Sequence, residues 1–170
     1  MARRMPHRLR LFIGVALLPL GGPQSALTGK SEAVAGAALA VALRDGPVPV
    51  IVDCGRAADP ATRAVAEVAD ATVTVVRGCY LALRRAVRAP ALACTMGTVL
   101  VEEPGRSLAR REIADVLGVP VLARVPFRDQ VFRAVDAGVL PARLPDGLAR
   151  AASDLAVRVG MGPAHRGAAA

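Results

Sequence analysis

The chain has 170 residues, enough for one domain that buries roughly 68–70% of its unfolded surface without disulfides or metals. Its hydrophobic fraction of 54% is mostly Ala and Val in short runs broken by Arg, Asp, Gly and Pro, which excludes a membrane bundle and suits a sheet covered on both faces. The formal charge of +8 rests on arginine, Lys30 being the only lysine, and with no Trp, one Tyr and three Phe there is no aromatic platform for single strands or RNA.

The amino terminus allows two readings. Met1 to Arg10 is basic and Leu11 to Leu20 apolar, the layout of an export signal ending near Ser25-Ala26, yet Leu11-Phe-Ile-Gly-Val-Ala-Leu-Leu reads equally as a buried strand over 10–18. The free cysteines Cys54, Cys79 and Cys94, odd in number and without a Cys-x-x-Cys pair, favour the strand and a cytoplasmic protein over an exported α/β domain.

Beyond residue 26, β-rich runs alternate with helical patterns, the signature of repeated βαβ units and a mostly parallel sheet with helices on both faces. Ser25 to Leu43 is an Ala-rich helix stopped by Arg44-Asp45-Gly46-Pro47, and a strand follows over 48–53. Asp59-Pro60 supplies an N-cap and a proline at the first helical position, opening a helix that ends about Ala69. A strand at 72–77 then leads to a helix over Cys79–Val87 with Arg84, Arg85 and Arg88 on its exposed side.

The strand expected at 97–102 precedes a helix capped by Ser107 and ended by Gly118, with Leu108, Ile113, Val116 and Leu117 toward the sheet. The last strand spans 120–125, and further helices run Asp129–Ala137 and Pro145–Val159 before a Gly/Ala/Pro-rich tail over 161–170 that should fray. The organisation is therefore a segment 1–26, one α/β domain over 27–160, and the tail.

The sharpest chemical signal is Val50-Ile51-Val52-Asp53-Cys54-Gly55, an apolar run that delivers a carboxylate where open α/β sheets bind ligands. In a nucleotide-binding fold such an acid holds Mg²⁺ through water, and Gly55 lets the backbone approach a γ-phosphate. Asp53 capping its own loop accounts for the same residues.

The chain over approximately 27–145 resembles the carboxy-terminal half of the MinD/ParA class of P-loop ATPases. Val50 to Gly55 matches that family's Walker B strand, Val68-Ala-Asp-Ala-Thr-Val-Thr-Val-Val-Arg77 its next strand, and Leu81-Ala-Leu-Arg-Arg-Ala86 the helix after it. The most specific match is Arg111-Glu-Ile-Ala-Asp-Val-Leu-Gly-Val-Pro-Val-Leu-Ala-Arg-Val-Pro-Phe-Arg-Asp129 with Val131 to Gly138. The resemblance implies a partial P-loop NTPase-like fold, ATP and Mg²⁺ as cofactors, and a bacterial role in chromosome partitioning, cell division or related positioning. It assigns Asp53 to the metal and to catalysis, and Val125, Pro126, Phe127 and Asp129 to the adenine pocket.

Two departures qualify what the resemblance implies. Thr98-Val-Leu-Val-Glu-Glu103 places acids where the family has an adenine-contacting Asn, and Glu102 can accept the amino hydrogens but not donate to ring nitrogens. Gly29-Lys30-Ser31 ends like a Walker A loop, but the glycine required five positions earlier is Gln24. Without a phosphate loop, binding should fall by about four orders of magnitude. The expectation is a truncated or degenerate ATP-binding protein with weak or no ATPase activity alone, or a non-catalytic docking protein of the same fold. A homodimer or a partner protein is expected, with nonspecific attraction to DNA or acidic membranes and no sequence-specific nucleic acid.

Overall fold

The computed structural model describes residues 10–12, 15–17, 29–46, 48–56, 59–105, 108–140, 142 and 144–161. The export-signal reading, Gln24, the start of the helix expected from Ser25, Pro47, the Ser107 cap and the tail beyond Met161 lie outside the described residues.

The protein is α/β with a parallel sheet, as its alternating patterns require. The elements in chain order are β1 (Arg10–Phe12), β2 (Val15–Leu17), α1 (Gly29–Arg44), α2 (Pro60–Val68), β3 (Val73–Arg77), α3 (Tyr80–Val87), β4 (Gly97–Glu102), α4 (Arg110–Leu117), β5 (Val121–Pro126), α5 (Asp129–Asp136) and α6 (Asp146–Arg158). Strands β3, β4 and β5 lie side by side in that order, with Val75 opposite Val99 and Val101 opposite Val125. A register shift between Thr98 and Val99 offsets β5 by one residue.

The core forms where the sheet meets its helices. Val76, Leu100 and Val121 project onto Leu83 and Ala86 of α3 and onto Ile113 and Leu117 of α4, and Ile113 is fully buried. Arg110 ties α4 to the sheet by donating from Nη2 to the Val121 carbonyl at 2.7 Å. Alternation turns Val99 to the face opposite Leu100, and it too is buried, while α6 packs along β5. No helix among the described residues is long and apolar enough to cross a membrane.

Local signals set most boundaries. Asp59 accepts from the Thr62 N–H at 2.9 Å and from its hydroxyl at 2.7 Å, so α2 begins at Pro60. Those hydrogen bonds, the Thr62 amide first, hold the Asp59 carboxyl below its ordinary range. Gly118 ends α4 at φ 68°, where a side chain would be strained. Helix α4 starts later than expected, at Arg110, where Glu112 reaches back to accept from the Ala109 N–H at 2.6 Å.

Two expected strands are corrected. Residues 10–18 were expected to join the parallel sheet, but β1 and β2 pair antiparallel with each other as a two-stranded sheet. Residues 48–53 were expected as a sheet strand, yet they run without a ladder partner among the described residues, leaving Ile51 85% exposed. Parallel strands gain their stability from burial on both faces, and an apolar run with no neighbour cannot acquire it.

Thr98 stands out inside the core, since its Oγ1 is buried without a hydrogen-bond partner among the described residues. Thr98→Val keeps the shape and removes the orphaned hydroxyl, so it should stabilise the fold by about 1 kcal/mol. The urea midpoint should rise with an unchanged slope; a clear fall would mean that the hydroxyl has a partner.

Candidate functional site

The carboxyl ends of β3, β4 and β5 form one rim, the edge at which open α/β sheets receive ligands. Backbone hydrogen bonds carry the pairing past the strand ends. Gly78 donates to the Val101 carbonyl at 3.2 Å, and Phe127 donates to the Glu102 carbonyl at 2.7 Å. Pro126 lies opposite Glu102 and Val125 opposite Val101, so four residues expected from the sequence to hold a base, Glu102, Val125, Pro126 and Phe127, meet here. Asp129 follows on this rim as the first residue of α5, exposed and with its carboxylate at the helix's positive end.

The rim also carries charges that sequence reasoning had not paired. Arg77, the last residue of β3, forms an ion pair with Glu103 just beyond β4, through both Nε and Nη2. The Glu103 side chain is 7% exposed, whereas that of Arg77 is 58% exposed, so the guanidinium forms the outer layer of the pair. The guanidinium carbon lies 5.9 Å from the centre of the Phe127 ring, and Phe127 meets Phe132 of α5 with ring centroids 4.5 Å apart. Glu102 is engaged by Arg124, whose Nη1 is 3.1 Å from Oε1. This pair is largely solvated and adds little to stability.

A cavity of about 710 Å³ adjoins the end of β5, lined by Pro126, Arg128, Gln130, Val131, Leu144 and Leu148 among others. The space is large enough for a small organic ligand.

Asp53 sits in a different setting. It is exposed, and its Oδ1 accepts from the Gly55 N–H at 2.9 Å, with Gly55 at φ 56°. That is the loop-capping arrangement, one of the two readings that the sequence left open. Among the described residues no hydrogen bond or ion pair joins Asp53 or Gly55 to the rim at Pro126. Nearby, burial first and then the Asp53 and Asp59 carboxylates push the Cys54 thiol up, so it stays protonated and unreactive at neutral pH.

The residues present fit one end of a nucleotide better than the other. At the base end stand the Phe127 ring, over which Arg77 lies, and the Glu102 carboxylate, one oxygen of which is engaged by Arg124. Asp53 alone is a sparse ligand for Mg²⁺, which is ordinarily held by one or two carboxylates together with substrate phosphates. The described residues contain no group of three His, Cys, Asp or Glu placed to hold a metal ion.

Neither protein-family models, nor curated proteins, nor solved structures give a match to this chain.

The sequence reading missed the Arg77–Glu103 pair and the Phe127–Phe132 contact. One signal was available: Arg77 ends one strand and Glu102-Glu103 the next, so parallel pairing in register puts opposite charges at neighbouring strand ends.

Proposed function

We propose that this chain is a MinD/ParA-like protein that holds the base of ATP at the carboxyl rim of its sheet and hydrolyses ATP slowly or not at all alone. The observation that carries the reading is the convergence of Glu102, Val125, Pro126 and Phe127 on adjacent parallel strand ends, where Pro126 also lines a cavity.

On this reading Glu102 accepts the exocyclic amino hydrogens of adenine, and the Phe127 ring stacks on the base. Arg77, now 5.9 Å from that ring, covers the site and moves aside when the base enters. In the cell such a protein serves a partitioning or positioning machine in the cytoplasm, with a second copy or a partner completing the phosphate site.

Adenosine should bind nearly as well as Mg-ATP, because the chain offers a base site and no recognisable phosphate loop. Saturation-transfer NMR at millimolar adenosine and Mg-ATP should show comparable transfer to the adenine protons, lost in Phe127→Ala. A thermal shift of about 2.7 kcal/mol would require ligand at about a hundred times its dissociation constant, so only small shifts are expected. Absence of transfer from both ligands would sink the base site. Turnover well above background that Lys30→Ala abolishes would sink the claim of a missing phosphate loop.

A further inference from the structure

Helix α3 has one side in the core, through Leu83 and Ala86, and a second side on which nothing packs among the described residues. On that outer side Tyr80 is 71% and Leu81 61% exposed. Arg84, Arg85 and Arg88 are exposed beside them, and none of the three forms an ion pair among the described residues. At 100° per residue Tyr80, Arg84, Arg88, Leu81 and Arg85 fall within one arc of the helix surface. A shallow cleft of about 340 Å³ opens among Leu81, Arg84, Arg85 and Arg88, so an apolar side chain and three arginines line one depression.

We propose that this face is the docking site for an acidic segment of a partner protein, one that inserts an apolar side chain against Leu81 and sets carboxylates on Arg84, Arg85 and Arg88. Charge complementarity selects an acidic occupant, since three adjacent arginines lack counter-charges and the whole chain carries +8. A second copy docking through this same face would set arginine against arginine and be repelled here. The exposed leucine and tyrosine select protein over nucleic acid, because phosphate contacts require no apolar pocket. They also argue against a membrane surface: lipid-binding helices separate an apolar face from a cationic one, whereas Leu81 is interleaved with the arginines on a helix of 8 residues. Arginine and tyrosine are moreover the residue types on which binding energy concentrates in protein interfaces.

The test uses the full chain and a fluorescein-labelled amphipathic peptide with glutamates flanking a leucine stripe, read by fluorescence anisotropy. Comparison ligands are the same peptide with serines for leucines, a mixed-sequence DNA duplex, and phosphatidylglycerol vesicles. The acidic leucine peptide should bind, and Leu81→Ser and the pair Arg84→Glu with Arg88→Glu should each weaken it by about tenfold or more. All three positions are exposed, so circular dichroism and the unfolding midpoint should stay unchanged. The serine peptide should lose affinity by a similar factor. No binding of the leucine peptide, an unchanged affinity in Leu81→Ser, or DNA or vesicles binding more tightly than the peptide would each overturn the proposal. Adenosine should leave the peptide affinity unchanged, so failure here and failure of the base site are separate results.

Discussion

Ile113→Ala should lower the unfolding free energy by about 3 kcal/mol, within the range of about 2–5 for truncating a fully buried aliphatic side chain. Ile113 has no exposed surface and belongs to the cluster that joins α3 and α4 to the three parallel strands, so no solvent can fill the space left behind. With a whole-domain stability of about 5–15 kcal/mol, such a loss consumes a large share of it. Val116 on the same helix is 55% exposed, and Val116→Ala should stay within about 0.5 kcal/mol of the parent. Urea titrations of the two variants check both statements. Equal losses would mean that α4 docks differently from the arrangement described, and the rim that depends on β4 and β5 would move with it.

The part of the fold that proved legible is the part whose signals are local. Asp59-Pro60 opens α2 because a carboxylate and a proline each satisfy a helix start without help from the rest of the chain. Gly118 followed by Val119-Pro120 gives the turn from α4 into β5 for the same reason, since only the backbone at φ 68° and the missing proline N–H are at stake. The three strands at 73–77, 97–102 and 121–126 each lie between such markers, and their parallel order follows from the helices between them.

The expected strand at 48–53 did not form, although its apolar composition and the resemblance of Val50 to Gly55 to a Walker B strand both pointed to one. Val48, Val50 and Ile51 have the side chains of a buried strand, but a ladder also needs a neighbour, and the described free edge of β3 is not joined to them. The consequence reaches the site. Asp53 was valued as the acid at the end of a sheet strand, and without the strand it is an exposed carboxylate holding the Gly55 amide. Glu102, Val125 and Pro126 lie on strands whose pairing did form, with Phe127 next along the chain. Arg77 and Glu103 are 26 residues apart, and their meeting depends on the register of β3 against β4, which no local pattern encodes.

Gly36→Ala should cost about 2 kcal/mol net, although replacing a mid-helix glycine by alanine would by itself stabilise α1 by about 0.5–1 kcal/mol. A Cβ at position 36 would stand 2.5 Å from the Ala61 Cα and 2.6 Å from its carbonyl oxygen. Both are backbone atoms of α2, so no rotamer change can relieve the contact and one helix must shift. Ala40, one turn further along α1, is also buried, and together the two small residues let α1 approach α2 closely. The shift should be felt beside the amino end of α2, where the half-buried Cys54 thiol approaches the Thr62 carbonyl at 3.9 Å. Burial is the largest cause of its raised pKa, so loosening the helix pair should expose the thiol and speed its reaction with a disulfide reagent. The measurement is made with Cys79 and Cys94 replaced by serine, so that one thiol reports. If Gly36→Ala raises the unfolding midpoint and leaves Cys54 as slow as before, helix propensity has outweighed packing, and α1 does not press on α2.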